Sequence, residues 1–202
     1  RTLRAAISWS VARLSAQARE QLLRLCVFMG GFTEADARAI TGLERSTLEA
    51  LARASLLQPA ALGRHHMLEP IREFALEQLS VAGWAPDAHA RHARHFAMEC
   101  HGAFDALIGR EQSVWYARID AEQPNIQAAM RWSIHDAGDR AAQALRVGYG
   151  IWRYWWQRGY WRDNLAAMRQ ALDVNGPDAA AIVRREGDES AANAALLLHA
   201  GA

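Results

Sequence analysis

Apolar residues recur every three to four positions along most of this chain, the spacing that places side chains on one face of an α-helix. In the first third of the chain, residues with helix-capping side chains divide this pattern into short helices. Ser15 can cap one helix, and Thr33 with Asp36 resembles a capping box. Ser46 with Glu49 repeats that signature. The sequence therefore predicts a succession of short, separately capped helices.

The pattern changes between residues 56 and 68, where it favours a β-hairpin with its turn between Pro59 and Gly63. Pro70 follows and suits the first turn of a helix, because its missing N–H would have no partner there. The short strand before this proline therefore runs directly into a helix. The order of helices, hairpin and helix predicts a winged-helix module over residues 1–85.

Beyond Gly83 and Pro86 the pattern indicates helices alone. The predicted helical segments are residues 88–107, 110–121, 124–136, 139–157 and 161–174, separated by Gly109, Pro124, Gly138 and Gly159. We therefore predict a mainly α protein, in which residues 86–202 form a helical linker and an array of helical hairpins.

The last two segments are similar to a tetratricopeptide repeat, a helical hairpin of about 34 residues. The residues that match its turn and second helix are Gly159, Trp161, Met168, Ala171 and Leu172, with Pro177 near its closing proline. The first helix is about one turn too long, so the repeat is degenerate. Residues 187–202 would begin the next repeat, and the array is expected to be the start of a tetratricopeptide-like solenoid.

The composition excludes several kinds of chemistry. All 23 basic residues are Arg, whereas a phosphate-binding P-loop and a Schiff base both need Lys. The formal net charge of +1 gives no overall field that would attract nucleic acid or a membrane surface. No catalytic constellation is visible, so we expect this chain not to be an enzyme.

The two cysteines, Cys26 and Cys100, are far apart and neither belongs to a C-x-x-C pair. Lone thiols in apolar helical contexts are typical of reduced core cysteines in an intracellular protein, so we expect a cytoplasmic location. No apolar run reaches the roughly 18 residues of a membrane span, and we expect no membrane partner. The chain begins at Arg1 without Met, and we expect it to be part of a longer protein.

A cluster of histidines raises the question of a metal site. Its members, with one cysteine, are His89, His92, His95, Cys100 and His101. Steps of three spread the first three histidines around a helix, whereas metal ligands on one helix favour a spacing of four. Interleaved Arg residues would also repel a cation. A solvated helix face is therefore the better interpretation, and no metal is expected.

The most unusual stretch runs from Trp152 to Arg162 and interleaves aromatic residues with Arg. Trp152, Trp155 and Trp156 have the spacing of one helix face, which predicts that at least two of them are buried in a core. Tyr154 is then expected to be more exposed. Alternatively, exposed aromatic and cationic side chains would bind a flat ligand or a partner. The residues expected at such a surface are Arg153, Tyr154, Arg158 and Tyr160.

A winged helix also raises the question of DNA binding, in which the helix of residues 46–55 would enter the major groove. This segment carries only Glu49 and Arg53 as charges and has no Asn or Gln to read adenine. The hairpin adds a small positive tip at residues 64–66. We expect weak DNA binding, because neutralisation of phosphates dominates affinity.

Several stretches resemble the winged-helix segment and helical linker of bacterial STAND regulatory ATPases. These are NB-ARC-like signalling proteins, often transcriptional regulators of the LuxR or AfsR type. The matching stretches are Trp9-Ser10, Leu14-Ser15, Leu25 to Thr33, Leu68 to Ala75, and Glu122 to Ala129 with Trp132. The resemblance covers roughly residues 2–175. In this family a nucleotide-binding domain precedes the winged helix, and helical repeats that sense an inducer or partner follow it.

This resemblance implies a role for the segment between the hairpin and the next helix. The family's Met-His-Asp signature, whose His approaches bound ADP, falls on Met67, Leu68 and Glu69. Leu therefore replaces the His and Glu replaces the Asp, and these three residues are the expected regulatory junction. ATP or ADP is implied for the parent protein, and no cofactor is implied for this chain.

The resemblance implies a non-catalytic regulatory fragment of a nucleotide-switched signalling or transcription regulator. Its winged helix would relay conformational change, and its repeats would form a sensor or protein-interaction arm. The implied partners are the nucleotide-binding domain and an inducer or protein at the repeats, with DNA bound only through a separate domain. The alternative is a winged-helix DNA-binding protein with a helical dimerisation domain.

Overall fold

A computed structural model describes residues 3–135 and 139–175 of the chain. The chain divides into two compact units, Arg1–His92 and Ala93–Ala202, and the division falls within one long helix. The predicted limits of 1–85 and 86–202 for the two domains stay a prediction. Pro177 and residues 187–202, on which part of the predicted repeat depends, lie outside the described residues.

The first unit contains short helices and a small sheet. Its elements are α1 (Leu3–Ala12), α2 (Ala16–Leu25), β1 (Phe32–Thr33), α3 (Glu34–Thr41), α4 (Arg45–Arg53), β2 (Gln58–Pro59), a 3₁₀ turn (Ala61–Gly63), β3 (Arg64–His66) and α5 (Glu69–Val81). Its largest fully buried side chains are Leu22, Leu25, Phe32, Ile40, Leu43, Leu51, Leu57 and Leu79. This apolar core joins the helices to the sheet, and the arrangement is a winged-helix module.

Two of the three predicted caps are present. The Ser15 hydroxyl accepts a hydrogen bond from the Ala18 N–H at 3.2 Å. Thr33 and Asp36 form the complete capping box, in which each side chain accepts a hydrogen bond from the other's backbone N–H. The cap predicted at Ser46 is wrong, because α4 begins one residue earlier, after Glu44, and has no side-chain cap.

The predicted hairpin is present and gains a third strand that the sequence pattern did not indicate. The strand order is β1–β3–β2 and both pairs are antiparallel, with Phe32 opposite His65. Gly31 precedes β1 with a φ of +97°, and a Cβ there would lie 2.8 Å from the His65 carbonyl oxygen. Only glycine allows this close approach without displacing the backbone. The third strand therefore depends on Gly31.

The second unit is built from long helices. The helices are α6 (Ala85–Ala106), which begins in the first unit, α7 (Gln112–Ser133), α8 (Asp139–Arg158) and α9 (Trp161–Asn175). The two segments predicted at 110–121 and 124–136 are one continuous helix, so the break predicted at Pro124 is wrong. Helix α7 contacts α8 before this proline, at Asp120, and after it, at Trp132, and this packing offsets the lost hydrogen bond.

Two glycines in α8 allow close packing within the second unit. A Cβ on Gly150 would lie 1.9 Å from the Cys100 carbonyl oxygen of α6, and a Cβ on Gly148 would overlap the Met168 side chain of α9. Cys100 is itself buried and is a free thiol, as is Cys26 in the first unit, which confirms the predicted core cysteines. The close approach of α8 to α6 explains why position 150 lacks a side chain, and the Met168 side chain of α9 explains the same at position 148.

The predicted fold class is confirmed: the protein is mainly α, with a winged-helix module followed by an α-helical array. None of the described helices has both the length and the hydropathy needed to cross a membrane.

Candidate functional site

The predicted regulatory junction lies where the sheet joins α5. Strand β3 ends at His66, Met67 and Leu68 connect it to the helix, and Leu68 occupies the N-cap position in an extended conformation. Leu68 is 40% exposed and offers no polar atom for capping. The predicted strand-to-helix connection is therefore present, with the helix beginning at Glu69.

Glu69 forms a two-point ion pair one turn into the helix. Its carboxylate accepts hydrogen bonds from Arg72 Nε at 2.9 Å and from the second guanidinium nitrogen at 2.6 Å. The hydrogen bonds to Arg72 hold the pKa of the Glu69 carboxyl below its usual range, and those to Glu69 raise the pKa of Arg72. The pair is asymmetric in exposure, since the Arg72 side chain is 19% exposed and that of Glu69 is 59% exposed.

A cavity of about 270 Å³ opens beside this ion pair, within the first unit. Its residues come from the end of α2, the glycine turn, the sheet and the start of α5. They are Leu25, Phe28, Met29, Gly30, Gly31, Phe32, Ala60, Arg64, His65, His66, Met67, Glu69 and Arg72. Met67 and Glu69 of the junction both line this space, which we call the junction cavity.

The junction cavity has an aromatic wall and a cationic side. The rings of Phe28 and Phe32 lie 4.8 Å apart, and the His65 ring stacks on Phe32 with centroids 6.2 Å apart. The Arg64 guanidinium donates a hydrogen bond to the Gly31 carbonyl at 3.1 Å, which fixes it at this edge. His65 Nδ1 is buried and has no hydrogen-bond partner among the described residues.

Cys26 lies in the same region but its thiol is unreactive. Burial raises the pKa of the thiol to about 12, although the positive charge of Arg72 acts in the opposite direction. A thiol that is protonated at neutral pH is neither a nucleophile nor a ready metal ligand. Binding at the junction would therefore depend on charge and shape and not on this thiol.

The burial predicted for the aromatic stretch is wrong. Trp155 is 3% exposed, but Trp152 is 45% and Trp156 is 66% exposed, while Tyr154 is completely buried. The packed face of α8 is thus Ile151, Tyr154 and Trp155, one residue earlier than predicted. Helical spacing permits the predicted face as well as the observed one. The observed face is favoured because it gives the Tyr154 hydroxyl a hydrogen-bond partner.

Three of the four residues predicted at a ligand or partner surface come together around Asp120 of α7. The Tyr154 hydroxyl donates to Asp120 Oδ1 at 2.8 Å, and Arg158 pairs with the other carboxylate oxygen. The Tyr160 ring lies 6.3 Å from that of Tyr154. Burial raises the pKa of Tyr154, and the hydrogen bond to Asp120 adds to that shift.

The fourth residue, Arg153, points elsewhere within the second unit. Its guanidinium lies over the ring of Trp152 at 4.6 Å and over that of Phe104 at 5.4 Å. Tyr154 is buried and hydrogen-bonded, so it stabilises the packing of α7 against α8 and is not available to a ligand. Tyr160, 46% exposed, remains accessible.

The exposed face of α4, the helix that would enter a DNA groove, is electrically self-neutralised. Glu49 lies 3.5 Å from Arg45 and 3.9 Å from Arg53, and all three side chains are more than half exposed. The exposed Glu44 stands at the N-cap, so residues 44–53 carry two Arg and two Glu and their charges cancel. At the wing tip, Leu62 is 92% exposed. This face presents little net positive charge to a phosphate backbone.

The histidine cluster lies on α6. Among the described residues, no group of three or more His, Cys, Asp or Glu side chains could hold a metal ion. The interpretation as a solvated face is wrong for His92, which is 2% exposed and meets the Phe28 ring edge-on at 5.4 Å. His92 therefore contributes to the core of the first unit.

Sequence reasoning missed two residues of these sites. Arg72 was not singled out, although its spacing of three from Glu69 on a helix predicts an ion pair. Asp120 accepts hydrogen bonds from residues 34 and 38 positions later in the sequence, and no local pattern indicates such contacts.

Similarity to known proteins is found in mycobacteria. Over 182 residues the chain is 30% identical to the Mycobacterium tuberculosis protein named "Putative HTH-type transcriptional regulator Rv0890c", covering 85% of this chain and 20% of that protein. A Mycobacterium bovis protein of the same type gives the same values. Over 105 residues this chain is 35% identical to "Uncharacterized protein Rv0894" of M. tuberculosis, covering 46% of this chain and 27% of that protein.

The chain thus spans about a fifth of the length of the mycobacterial regulators that it matches. No protein-family model and no solved structure matches it.

Proposed function

We propose that this chain is a non-catalytic regulatory segment of a longer transcription regulator. Its winged-helix module relays conformational change, and its helical array contacts an inducer or a partner protein. The similarity to proteins named as transcriptional regulators, which are about five times longer than the matched region, supports the first part. The resemblance to STAND ATPases supports a nucleotide-binding domain elsewhere in the parent protein as the partner of the module.

The observation that carries the relay is the self-neutralised face of α4. A helix that reads DNA needs cations aimed at phosphates or bidentate side chains aimed at bases. Here Glu44 and Glu49 together offset the charge of Arg45 and Arg53. A winged helix with such a face is better suited to packing against protein than against DNA.

The junction is the proposed two-state element that a relay requires. Glu69 and Arg72 fix the first turn of α5, and both contribute to the junction cavity beside the sheet. A neighbouring domain that competes for either charge would favour a second arrangement of this turn. A ligand shifts such an equilibrium only by its difference in affinity for the two arrangements.

The relay is tested in the full-length parent protein by the rate of ADP release. Arg72→Gln should change this rate several-fold, because it removes the ion pair at the junction. Arg38→Gln is the matched control, since it breaks the exposed pair with Glu34 in the same module. Equal rates in the wild type and both variants would contradict the relay.

The chain itself is proposed to lack ATPase activity, because all 23 of its basic residues are Arg and a phosphate-binding P-loop needs Lys. Magnesium-dependent ATP turnover by the purified chain, above that of a heat-inactivated control, would refute this part of the proposal.

A second candidate function is direct DNA binding by the winged helix, with the helical array as a dimerisation domain. The name of the mycobacterial relatives, which includes a helix-turn-helix, favours it. Fluorescence anisotropy with duplex DNA at physiological salt separates the two candidates. Sequence-specific binding at nanomolar concentrations would favour this second function, and weak binding with a shallow salt dependence would favour the relay.

A further inference from the structure

We propose that the junction cavity binds a small organic anion, specifically an aromatic carboxylate, in the winged-helix module itself. The inference goes beyond the relay, because the cavity can bind such a molecule whether or not the module communicates with a nucleotide-binding domain. It rests on the shape, the lining and the charge of the cavity.

The size of the cavity sets the size of the ligand. Its volume of about 270 Å³ lies just below the range of about 300–1,000 Å³ typical of small-molecule sites. It is formed where Gly30 and Gly31, both with positive φ, carry the chain from α2 into β1 without side chains. A molecule of one or two fused rings therefore matches the space better than a nucleotide does.

The lining favours a flat apolar body. Phe28 and Phe32 pack 4.8 Å apart, the His65 ring continues this wall, and Met29 and Met67 add two thioethers. Aromatic rings gain from offset or edge contacts with such a wall, and methionine adapts to irregular shapes. These residues would hold a ring system by contact area and shape.

The charges favour a carboxylate at one end of that body. Arg64 and Arg72 both line the cavity, against the single carboxylate of Glu69. The planar guanidinium of Arg72 already makes a two-point pair with a carboxylate, which is the geometry that an incoming carboxylate would copy.

Glu69 therefore acts as an internal competitor for the site. Its carboxylate is largely exposed and pairs with an Arg72 side chain that is largely buried, so it can move into solvent when a ligand takes its place. The two residues of one ion pair should then affect binding in opposite directions. If the ion pair had only a structural role, substitution of Arg72 and substitution of Glu69 would change binding in the same direction.

Methyl NMR of the whole chain tests this proposal with 2-naphthoate as the probe. The chain has five methionines, of which Met29 and Met67 line the cavity and Met98, Met130 and Met168 do not. With 13C-labelled methionine methyl groups, 2-naphthoate should shift the first two signals and leave the other three in place. No shift at Met29 and Met67 up to millimolar probe would overturn the proposal.

Neutral and phosphate-containing probes test the chemical class. The uncharged isostere 2-naphthamide should bind about tenfold more weakly, because a charge-assisted pair with Arg72 is lost. Equal binding of the amide would overturn the assignment of an anion site. Stronger shifts at Met29 and Met67 with ADP or inorganic phosphate than with 2-naphthoate would show a phosphate site and overturn it as well.

Three substitutions test the residues. Arg72→Gln should weaken 2-naphthoate binding about tenfold, and Glu69→Gln should tighten it several-fold, because the competitor is neutralised. His65→Ala removes one ring of the aromatic wall and should weaken binding. Arg38→Gln, in the exposed pair with Glu34, should leave the affinity unchanged. Weaker binding in both Arg72→Gln and Glu69→Gln would overturn the competition and, with it, the proposed site.

Discussion

The two units of this protein define their helices in different ways. In the first unit helices are short, and local features mark several of their ends, such as the Ser15 cap and the Thr33–Asp36 capping box. In the second unit helices of 15 to 22 residues run through positions that would end a helix on local grounds, Pro124 being the clearest. Local hydrogen bonds set boundaries in the first unit, and packing between helices sets them in the second.

A sequence pattern is informative where the structure depends on residues close together in the chain. A cap is decided by residues three positions apart, so it is visible in the sequence. A helix face is decided by partners more than 30 residues away, as with Tyr154 and Asp120. Substitutions that separate local from long-range determinants therefore sharpen the comparison.

The largest effect is expected at Trp155. Trp155→Ala should lower the free energy of unfolding by about 3–5 kcal/mol, because it removes a side chain that is 3% exposed from the packed face of α8. Trp156→Ala is the matched control: its side chain is 66% exposed, and it should cost well under half as much. Urea denaturation followed by circular dichroism measures both. Similar losses of unfolding free energy in the two variants would contradict the packed face that the structure shows for α8.

The second effect is expected at Gly150. Gly150→Ala places a Cβ 1.9 Å from the Cys100 carbonyl oxygen, and the backbones of α6 and α8 must separate to relieve it. We expect a loss of about 3 kcal/mol, the upper end of overpacking costs, because backbone cannot move aside like a side chain.

Gly102→Ala is the control for Gly150, since a Cβ at position 102 in α6 meets nothing within 4 Å. It should leave stability unchanged or raise it by up to about 1 kcal/mol through helix propensity. A stable Gly150→Ala variant, measured in the same denaturation series, would argue against the close approach of the two helices.

A smaller effect is expected at the caps of the first unit. Thr33→Ala should cost about 1 kcal/mol, because the Asp36 N–H loses its acceptor at 3.2 Å. Ser46→Ala is the control, since Ser46 has a capping sequence but lies inside α4 and should change stability little. Thermal unfolding compares them. A larger loss at Ser46 would mean that the sequence signature, and not the observed cap, decides the helix start.

The smallest effect is expected at Glu69. Glu69→Gln should cost about 0.5 kcal/mol or less at neutral pH, because its half of the ion pair is largely exposed. Pairing with Arg72 lowers the pKa of this carboxyl, so its contribution is present above the unfolded pKa and is lost as pH falls through the folded value. The stability difference between wild type and Glu69→Gln should therefore disappear in acid. A constant difference from neutral pH to acid would contradict the assigned pair.

The class of fold and much of the first unit follow from local signals in the sequence. Helical periodicity indicated a mainly α chain, and capping residues and Pro70 indicated where α2, α3 and α5 begin, since each of these signals acts over a few residues. The hairpin was also predicted, whereas its third strand was not. That strand depends on Gly31 passing within 2.8 Å of the His65 carbonyl, a contact that no local pattern reports.

The way in which side chains combine into sites depends on tertiary packing. It placed Met67 and Glu69 at the cavity with Arg72, buried Tyr154 against Asp120, and left Trp152 and Trp156 exposed. Helical spacing allowed either of two overlapping faces of α8, and the choice followed from a hydrogen-bond partner on another helix. The glycines at 148 and 150 are likewise explained by their contacts with α9 and α6, which the sequence does not indicate. Burial and partner identity depend on residues distant in sequence, and only packing brings these together.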